Sequence, residues 1–246
     1  MSDDEETETV QDVKVVLLGE SGVGKSSIIK RFVTQIFDPD IDPSISSKVS
    51  PKEIKIIDIK KKIKFNIWDT AGQEKYRSLA KIFYKDAPII IFVYNITSKE
   101  SFDYLKNYWY NQVKESSIKN VIFGVVGNKS DLYQNSDVDE KEARDWADSI
   151  NAIFQLTSAK SNSGIDVLFQ NLAKKYFDPK YDYKKEDNEA KEDYVKRKKE
   201  QEENKKKEKQ KDEDEDDNVK IPEIRNISLD KRDIIRDDKK KKGKCC

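Results

Sequence analysis

Short apolar runs and longer stripes at helical spacing alternate along the chain from about residue 13 to residue 177. This is the pattern of βα repeats whose strands lie side by side in a mostly parallel sheet. Residues 13–18, 89–94 and 121–126 are apolar nearly throughout, as strands covered by helices on both faces must be. Residues 153–156 form a shorter fourth run. Residues 54–59 and 63–67 alternate instead, which predicts two antiparallel strands around a turn at 60–62 that holds neither Gly nor Asn. Three stripes predict helices. Phe102, Leu105, Trp109 and Val113 form the first, preceded by Thr97 and Glu100 at capping-box spacing. Ala143, Trp146, Ala147 and Ile150 form the second. Ile165, Leu168, Phe169, Leu172 and Tyr176 form the third, with Ser163 and Asp166 as its candidate cap. The aromatics on these stripes read as core contacts.

The expected architecture is a three-layer α/β domain with a six-stranded, mostly parallel sheet and one antiparallel strand. Composition sets its limits. Charged residues make up 39% of the 246, against about a quarter in ordinary globular domains, and the excess is local. Lys, Glu and Asp dominate residues 184–217 after Asp178-Pro179, so this stretch reads as solvated rather than packed. Pairs such as Glu192 with Lys196 and Glu202 with Lys206 would support a helix there by only about 0.2–0.5 kcal/mol each. The chain therefore divides into an acidic, disordered extension (1–11), one domain (12–178) and a charged tail (179–246).

Formal net charge is +0, from 48 Lys and Arg against 48 Asp and Glu, which speaks against a nucleic-acid binder relying on an overall positive field. There is no histidine, so Ser-His-Asp triads, Cys-His pairs and His-based zinc sites are excluded. Both cysteines, Cys245 and Cys246, are the last two residues, where they are poorly placed to staple a core. The N-terminus lacks the basic and then apolar pattern of a secretory signal, and no apolar run approaches a membrane span. The expectation is a soluble, intracellular protein unless it is modified.

Gly19-Glu20-Ser21-Gly22-Val23-Gly24-Lys25-Ser26 follows the first apolar strand, precedes a helical segment and is followed by Ser27. It matches the phosphate-binding loop, which should arise by chance in about one chain in a hundred of this length. Glycines let backbone N–H groups turn toward phosphates, Lys25 reaches their outer oxygens, and the Ser26 hydroxyl can ligate Mg²⁺. The loop alone does not choose a base. Asn128-Lys129-Ser130-Asp131 at the end of one strand and Thr157-Ser158-Ala159-Lys160 after the next supply that signal, at the strand ends where such sheets bind ligands. The Asp131 carboxylate can accept the two N–H donors of guanine, which adenine lacks, while Asn128 and the Ala159 backbone address the remaining edge. Either tetrapeptide alone would read as a surface loop. In this order they point to guanine. Trp68-Asp69-Thr70-Ala71-Gly72-Gln73-Glu74 lies between: Asp69 can hold a water of the Mg²⁺ shell, the Gly72 N–H can sense a γ-phosphate, and Gln73 can orient an attacking water.

With these motifs in order, residues 13–177 resemble the Ras superfamily, whose fold is the G domain of phosphate-loop nucleoside triphosphatases. Tyr76-Arg77-Ser78-Leu79-Ala80, Val93-Tyr94-Asn95-Ile96-Thr97, Ser101-Phe102 and the terminal cysteine pair are similar to Rab proteins. The resemblance implies a slow GTPase, switched between GTP and GDP with Mg²⁺, that regulates vesicle trafficking as a monomer. It implies that Phe37 packs edge-on against guanine, and that residues 38–47 and 72–85 are the two switches read by effectors. It also implies an exchange factor, a GTPase-activating protein, an escort protein with its prenyltransferase, a dissociation inhibitor, and no nucleic acid.

Two departures stand out. The switch threonine that would ligate Mg²⁺ is Ser44, followed by Ser46 in place of the usual glycine, and Val49 replaces the phenylalanine of an effector-facing aromatic triad that Trp68 and Phe83 otherwise keep. An altered first switch leaves a GTP-binding scaffold with little hydrolysis as the alternative; an ATP-using enzyme is disfavoured by Asp131. Lys239-Lys240-Lys241-Lys242-Gly243-Lys244 precedes Cys245-Cys246. A solvated tail with incidental cysteines is one reading, while the resemblance implies geranylgeranyl groups on both thiols, two lipids and a basic patch giving stable attachment where one lipid is marginal. Val219-Lys220-Ile221 resembles the aliphatic pair that engages the escort protein. The resulting expectation is a protein on the cytoplasmic face of an intracellular membrane, with the similarity leaning toward endosomes, and a cytosolic pool.

Overall fold

In the computed structural model, residues 10–40, 48–70, 82–116 and 120–185 are described. Six strands form one sheet: β1 (Gln11–Leu18), β2 (Lys48–Ile56), β3 (Lys61–Asp69), β4 (Ile89–Asn95), β5 (Ile122–Asn128) and β6 (Ile153–Thr157). Their spatial order is β2-β3-β1-β4-β5-β6. Only β2 runs antiparallel, paired with β3 from Lys48↔Asp69 to Ile56↔Lys61. The turn between them spans 57–60, slightly earlier than its predicted place. Lys60 takes the left-handed conformation (φ 51°) that a glycine or asparagine would usually supply, and its N–H donates to the Ile57 carbonyl.

Among the described residues the longer α-helices are α1 (Lys25–Thr34), α2 (Lys99–Tyr104), α3 (Tyr110–Glu115), α4 (Glu140–Ser149) and α5 (Ile165–Phe177); a π-helical turn, Leu105–Trp109, joins α2 to α3, and a 3-10 helix spans Ser130–Asn135. Parity of the strands sorts them into layers. Val13 pairs with Phe65, and on that face Phe65 and Phe32 of α1 both meet Phe169 of α5, the latter pair stacked at 3.8 Å. Phe92 points the other way, to Tyr110 of α3 and Trp146 of α4. Phe102, Leu105, Trp109 and Val113 are all buried; the wider π turn keeps the four on one face as α2 passes into α3.

Two caps differ from expectation. Ser98, not Thr97, caps α2 and accepts from the Ser101 N–H, while Thr97 turns back to the Asn95 side chain. At α5 the cap is Gly164 in a left-handed conformation, because Ser163 is drawn into a bridge with Ser158. A glycine is required there, since a Cβ would lie 2.1 Å from the Leu156 carbonyl oxygen.

Packing continues past the composition change at Asp178-Pro179. Tyr181 donates to the Asn171 side chain at 2.9 Å, and the Tyr183 hydroxyl accepts the N–H of Phe154 at 3.1 Å. Strand β6 is a sheet edge, whose outward N–H groups need partners. Tyr183 supplies one, and burial pushes its phenol pKa up.

Candidate functional site

Parallel strands bring their C-terminal ends to one pole, and β1 lies where the strand order reverses toward β4, the position at which such sheets bind ligands. The loop after β1 opens α1 there. Asn95, Asn128 and Thr157 end β4, β5 and β6 in one register, forming a polar row along this edge.

A cavity of about 430 Å³ occupies this pole. Of the residues expected from sequence, Ser21, Gly22, Gly24, Lys25, Ser26, Ser27, Phe37, Asn128, Lys129, Asp131, Ala159 and Lys160 line it. The remaining described ones play supporting parts. Gly19 lies where a Cβ would sit 2.2 Å from the Val93 carbonyl oxygen, so its glycine serves close packing on β4. The Val23 side chain belongs to the core. Ser158 is buried and donates to Asp131 Oδ1 at 2.6 Å, setting the carboxylate's orientation. Asp69 is buried at the end of β3. Ser44, Gly72, Gln73, Cys245 and Cys246 lie outside the described residues.

Lys25 is buried at 5% exposure, and its ammonium donates to the carbonyls of Gly19 and Glu20, both at 2.8 Å. Lysine has three donors, so one remains beyond these two carbonyls. Burial lowers its pKa to about 8, against the pull of the Asp69 and Glu20 carboxylates. Desolvating an ammonium is costly without a full negative charge beside it, and a phosphate would provide one. Gly22 has φ 76° with no atom within 4 Å of where a Cβ would stand. Gly24, at φ 97°, has no such room, because a Cβ would meet Asn128 Nδ2 at 2.2 Å.

Asn128 ties the loop after β1 to the end of β6. Its Nδ2 donates to the Val23 carbonyl at 2.9 Å and its Oδ1 accepts from Thr157 Oγ1 at 3.1 Å. Lys129 adopts φ 67°, turning the chain so that Asp131 and Leu132 face the cavity. For Mg²⁺ the donors present, a Ser26 hydroxyl and the Asp69 carboxylate, are hard oxygens suited to an ion that keeps several waters and leans on substrate phosphates. Among the described residues no group of three or more His, Cys, Asp or Glu side chains could hold a metal by itself, and magnesium bound in this way does not need one.

Sequence reading missed Thr70, Asp38, Pro39 and Leu132 in the lining and, behind it, Arg31. Arg31 Nε and Nη2 donate to the carbonyls of Ala159 (2.7 Å) and Lys160 (3.0 Å), and its guanidinium lies 5.8 Å from the Phe37 ring centre. It clamps the base-recognition loop to α1. No local motif marks it, since its partners lie more than a hundred residues away and are backbone carbonyls.

These features define a phosphate-loop protein with a wall built for guanine. The comparisons agree. The Ras family model matches residues 14–178. The chain is 43% identical to human (Homo sapiens) Ras-related protein Rab-22A over 166 residues, 68% of this chain and 84% of the relative. It is 41% identical to mouse (Mus musculus) Ras-related protein Rab-31 over 165 residues, 67% and 83% of the two. The chain belongs to the Ras family, as a small GTPase of the Rab type. It binds GTP and GDP with Mg²⁺, hydrolyses GTP, works with exchange factors, GTPase-activating proteins and effectors, and regulates vesicle trafficking.

Proposed function

We propose that guanine nucleotide lies in the 430 Å³ cavity with its phosphates on residues 19–27 and its base against Phe37, Asn128, Lys129, Asp131 and residues 158–160. The observation that carries this assignment is the convergence of three distant segments on one cavity. Lys25 offers its remaining donor to the phosphates. Asp131, oriented by Ser158, accepts the paired N–H groups of guanine. Ser26 and Ser44, with Asp69 through water, would hold Mg²⁺, which would neutralise phosphate charge as it develops. Gln73 orients the attacking water, and Gly72 with Ser44 senses the γ-phosphate, so that hydrolysis releases both switches. No arginine occurs in residues 19–27, and the transition-state charge is therefore met by a group supplied in trans.

Partners read the switches beside an aromatic patch. Trp68 and Phe83 approach with ring centres 6.0 Å apart, and Val49 pairs with Trp68 across the β2–β3 ladder while remaining exposed. Val49 makes this patch shallower than the triad of phenylalanine and two further aromatics, and we assign effector choice in part to that difference. Among the described residues no helix is long and apolar enough to cross a membrane. Membrane attachment is assigned to geranylgeranyl groups on Cys245 and Cys246, delivered by an escort protein with its prenyltransferase and extracted by a dissociation inhibitor. The proposed compartment is endosomal, following the resemblance to endocytic-type Rabs.

Single-turnover hydrolysis of GTP tests the assignment of the reaction. Slow turnover that a GTPase-activating protein accelerates, and that Gln73→Leu slows, is expected. Fast turnover by the protein alone contradicts activation in trans, and GTP that persists even with activating proteins favours the non-hydrolysing scaffold. Imaging the tagged protein beside Cys245→Ser/Cys246→Ser tests the anchor: the double variant should lose its membrane signal.

A further inference from the structure

The pole opposite the cavity carries a surface that nucleotide binding does not use. Ile57, in the turn between β2 and β3, is 84% exposed, and Ile59 is 40% exposed. Ile56, immediately before, is buried at 1%, so the apolar run leaves the core and continues into solvent. Val10, also exposed, precedes β1, whose first residue pairs with Ile63 beside this turn. The strands around the tip are basic: Lys55, Lys60, Lys61 and Lys62 stand against Glu53 and Asp58, while Lys52 turns to the Val33 carbonyl. Two of the nearby carboxylates are engaged. Asp58 pairs with Lys174 at 2.6 Å, and Asp12 pairs with Lys64 at 3.1 Å.

We infer that the tip of the β2–β3 hairpin seats on an anionic lipid bilayer, with Ile57 and Ile59 entering the headgroup layer and the flanking lysines facing its charge. Aliphatic side chains beside lysines are the composition of an interfacial membrane contact, whose strength is the sum of apolar burial and attraction to anionic lipid. Shape favours a bilayer over an acidic protein. The aliphatic residues stand on a narrow turn, which penetrates a soft layer, whereas a stable protein partner needs roughly 800 Å² of matched surface on each side. Position agrees as well. The Lys174–Asp58 pair sets the tip beside the last turns of α5, where the chain leaves the helix at Phe177. Because β3 runs parallel to β1, seating this pole leaves the cavity pointing away from the lipid.

The contact needs no lipid on the chain, so its failure and that of the anchor reading are separable. The full chain carrying Cys245→Ser and Cys246→Ser, with Ile57→Cys labelled by a polarity-sensitive dye, is mixed at low salt with vesicles of phosphatidylcholine, alone or with phosphatidylserine at about a third of the lipid. The same dye at Tyr133→Cys, on the cavity side, is the control. A blue shift and intensity gain at position 57 with anionic vesicles, and none at 133, is the expected result. Lys60→Glu/Lys61→Glu should weaken partitioning by at least roughly fivefold for each lysine, with GDP binding unchanged. No response at 57 while the protein sediments with anionic vesicles overturns the inference and leaves attachment to the tail lysines. An equal response to neutral vesicles removes the part given to charge and also overturns it. A response to soluble polyglutamate with none to vesicles reassigns the tip to an acidic protein.

Discussion

Replacing Gly24 by alanine perturbs the joint between phosphate loop and base wall. The residue sits at φ 97°, ψ 28°, where a side chain costs roughly 1–2 kcal/mol of backbone strain. Its Cβ would also lie 2.2 Å from Asn128 Nδ2, so Asn128 must move. Moving it breaks the bonds to the Val23 carbonyl and from Thr157 Oγ1, both buried, at about 1–3 kcal/mol each. The strain exists with and without nucleotide and lowers the melting temperature. Displacing Asn128 also removes a group from the cavity wall; if about half of that cost depends on nucleotide, GDP affinity falls about 10- to 100-fold. Gly22→Ala provides the comparison, since its φ of 76° imposes similar strain but no atom lies within 4 Å of the new methyl. Titration of fluorescent GDP, with thermal unfolding in parallel, separates the two effects. Gly24→Ala should bind at least about tenfold more weakly than Gly22→Ala. Equal affinities with equal melting temperatures would refute the reasoning that Asn128 joins the two halves of the site.

Other consequences follow from the same geometry. Bound phosphate raises the Lys25 pKa above its value of about 8 in the free protein, so binding takes up a proton above that pH; GDP affinity should fall by up to about tenfold per unit as pH rises through 8. Lys25→Met should bind weakly and lose this slope. Arg31→Ala removes the clamp on Ala159 and Lys160, and fluorescent GDP should leave on the order of tenfold faster; Arg31→Lys should recover only part, because the flexible lysine stem lacks the pre-organised planar fork that holds both carbonyls. Asp131→Asn should lose guanine and gain xanthine nucleotides, measured by competition, as an amide can donate where xanthine carries a carbonyl. Tyr183→Phe leaves the Phe154 N–H without its acceptor, at about 1–3 kcal/mol. The melting temperature should drop by about 2–10 °C while GDP affinity stays unchanged.

Much of the fold was legible because burial on both faces leaves strands nearly all apolar, and local motifs marked most of the residues that line the cavity. Residues 89–94 appear as the strand read from their pattern, and Phe102 to Val113 keep one buried face although a π-helical turn divides the helix. The departures share a cause in tertiary contact. Ser163 spells a cap, yet its bridge with Ser158 passes that position to Gly164. Thr97 fits a capping box, but Ser98 has the extended backbone the cap needs. Tyr181 and Tyr183 lie beyond the boundary placed at residue 178, and they pack because Asn171 of α5 and the Phe154 N–H of the edge strand offer partners invisible in the local sequence. Arg31 is the same lesson within the site: its donors meet backbone carbonyls, which leave no trace in side-chain patterns.

One cavity should select guanine over adenine through Asp131 while its phosphate loop accepts either. Calorimetric titration of the nucleotide-free protein with GDP and then ADP, both with Mg²⁺, measures that selection directly. Sites that hydrogen-bond their ligand reject analogues lacking those groups by about 10⁴-fold or more, and GDP should exceed ADP by that margin. Comparable affinities for the two, or no heat with GDP, would contradict it.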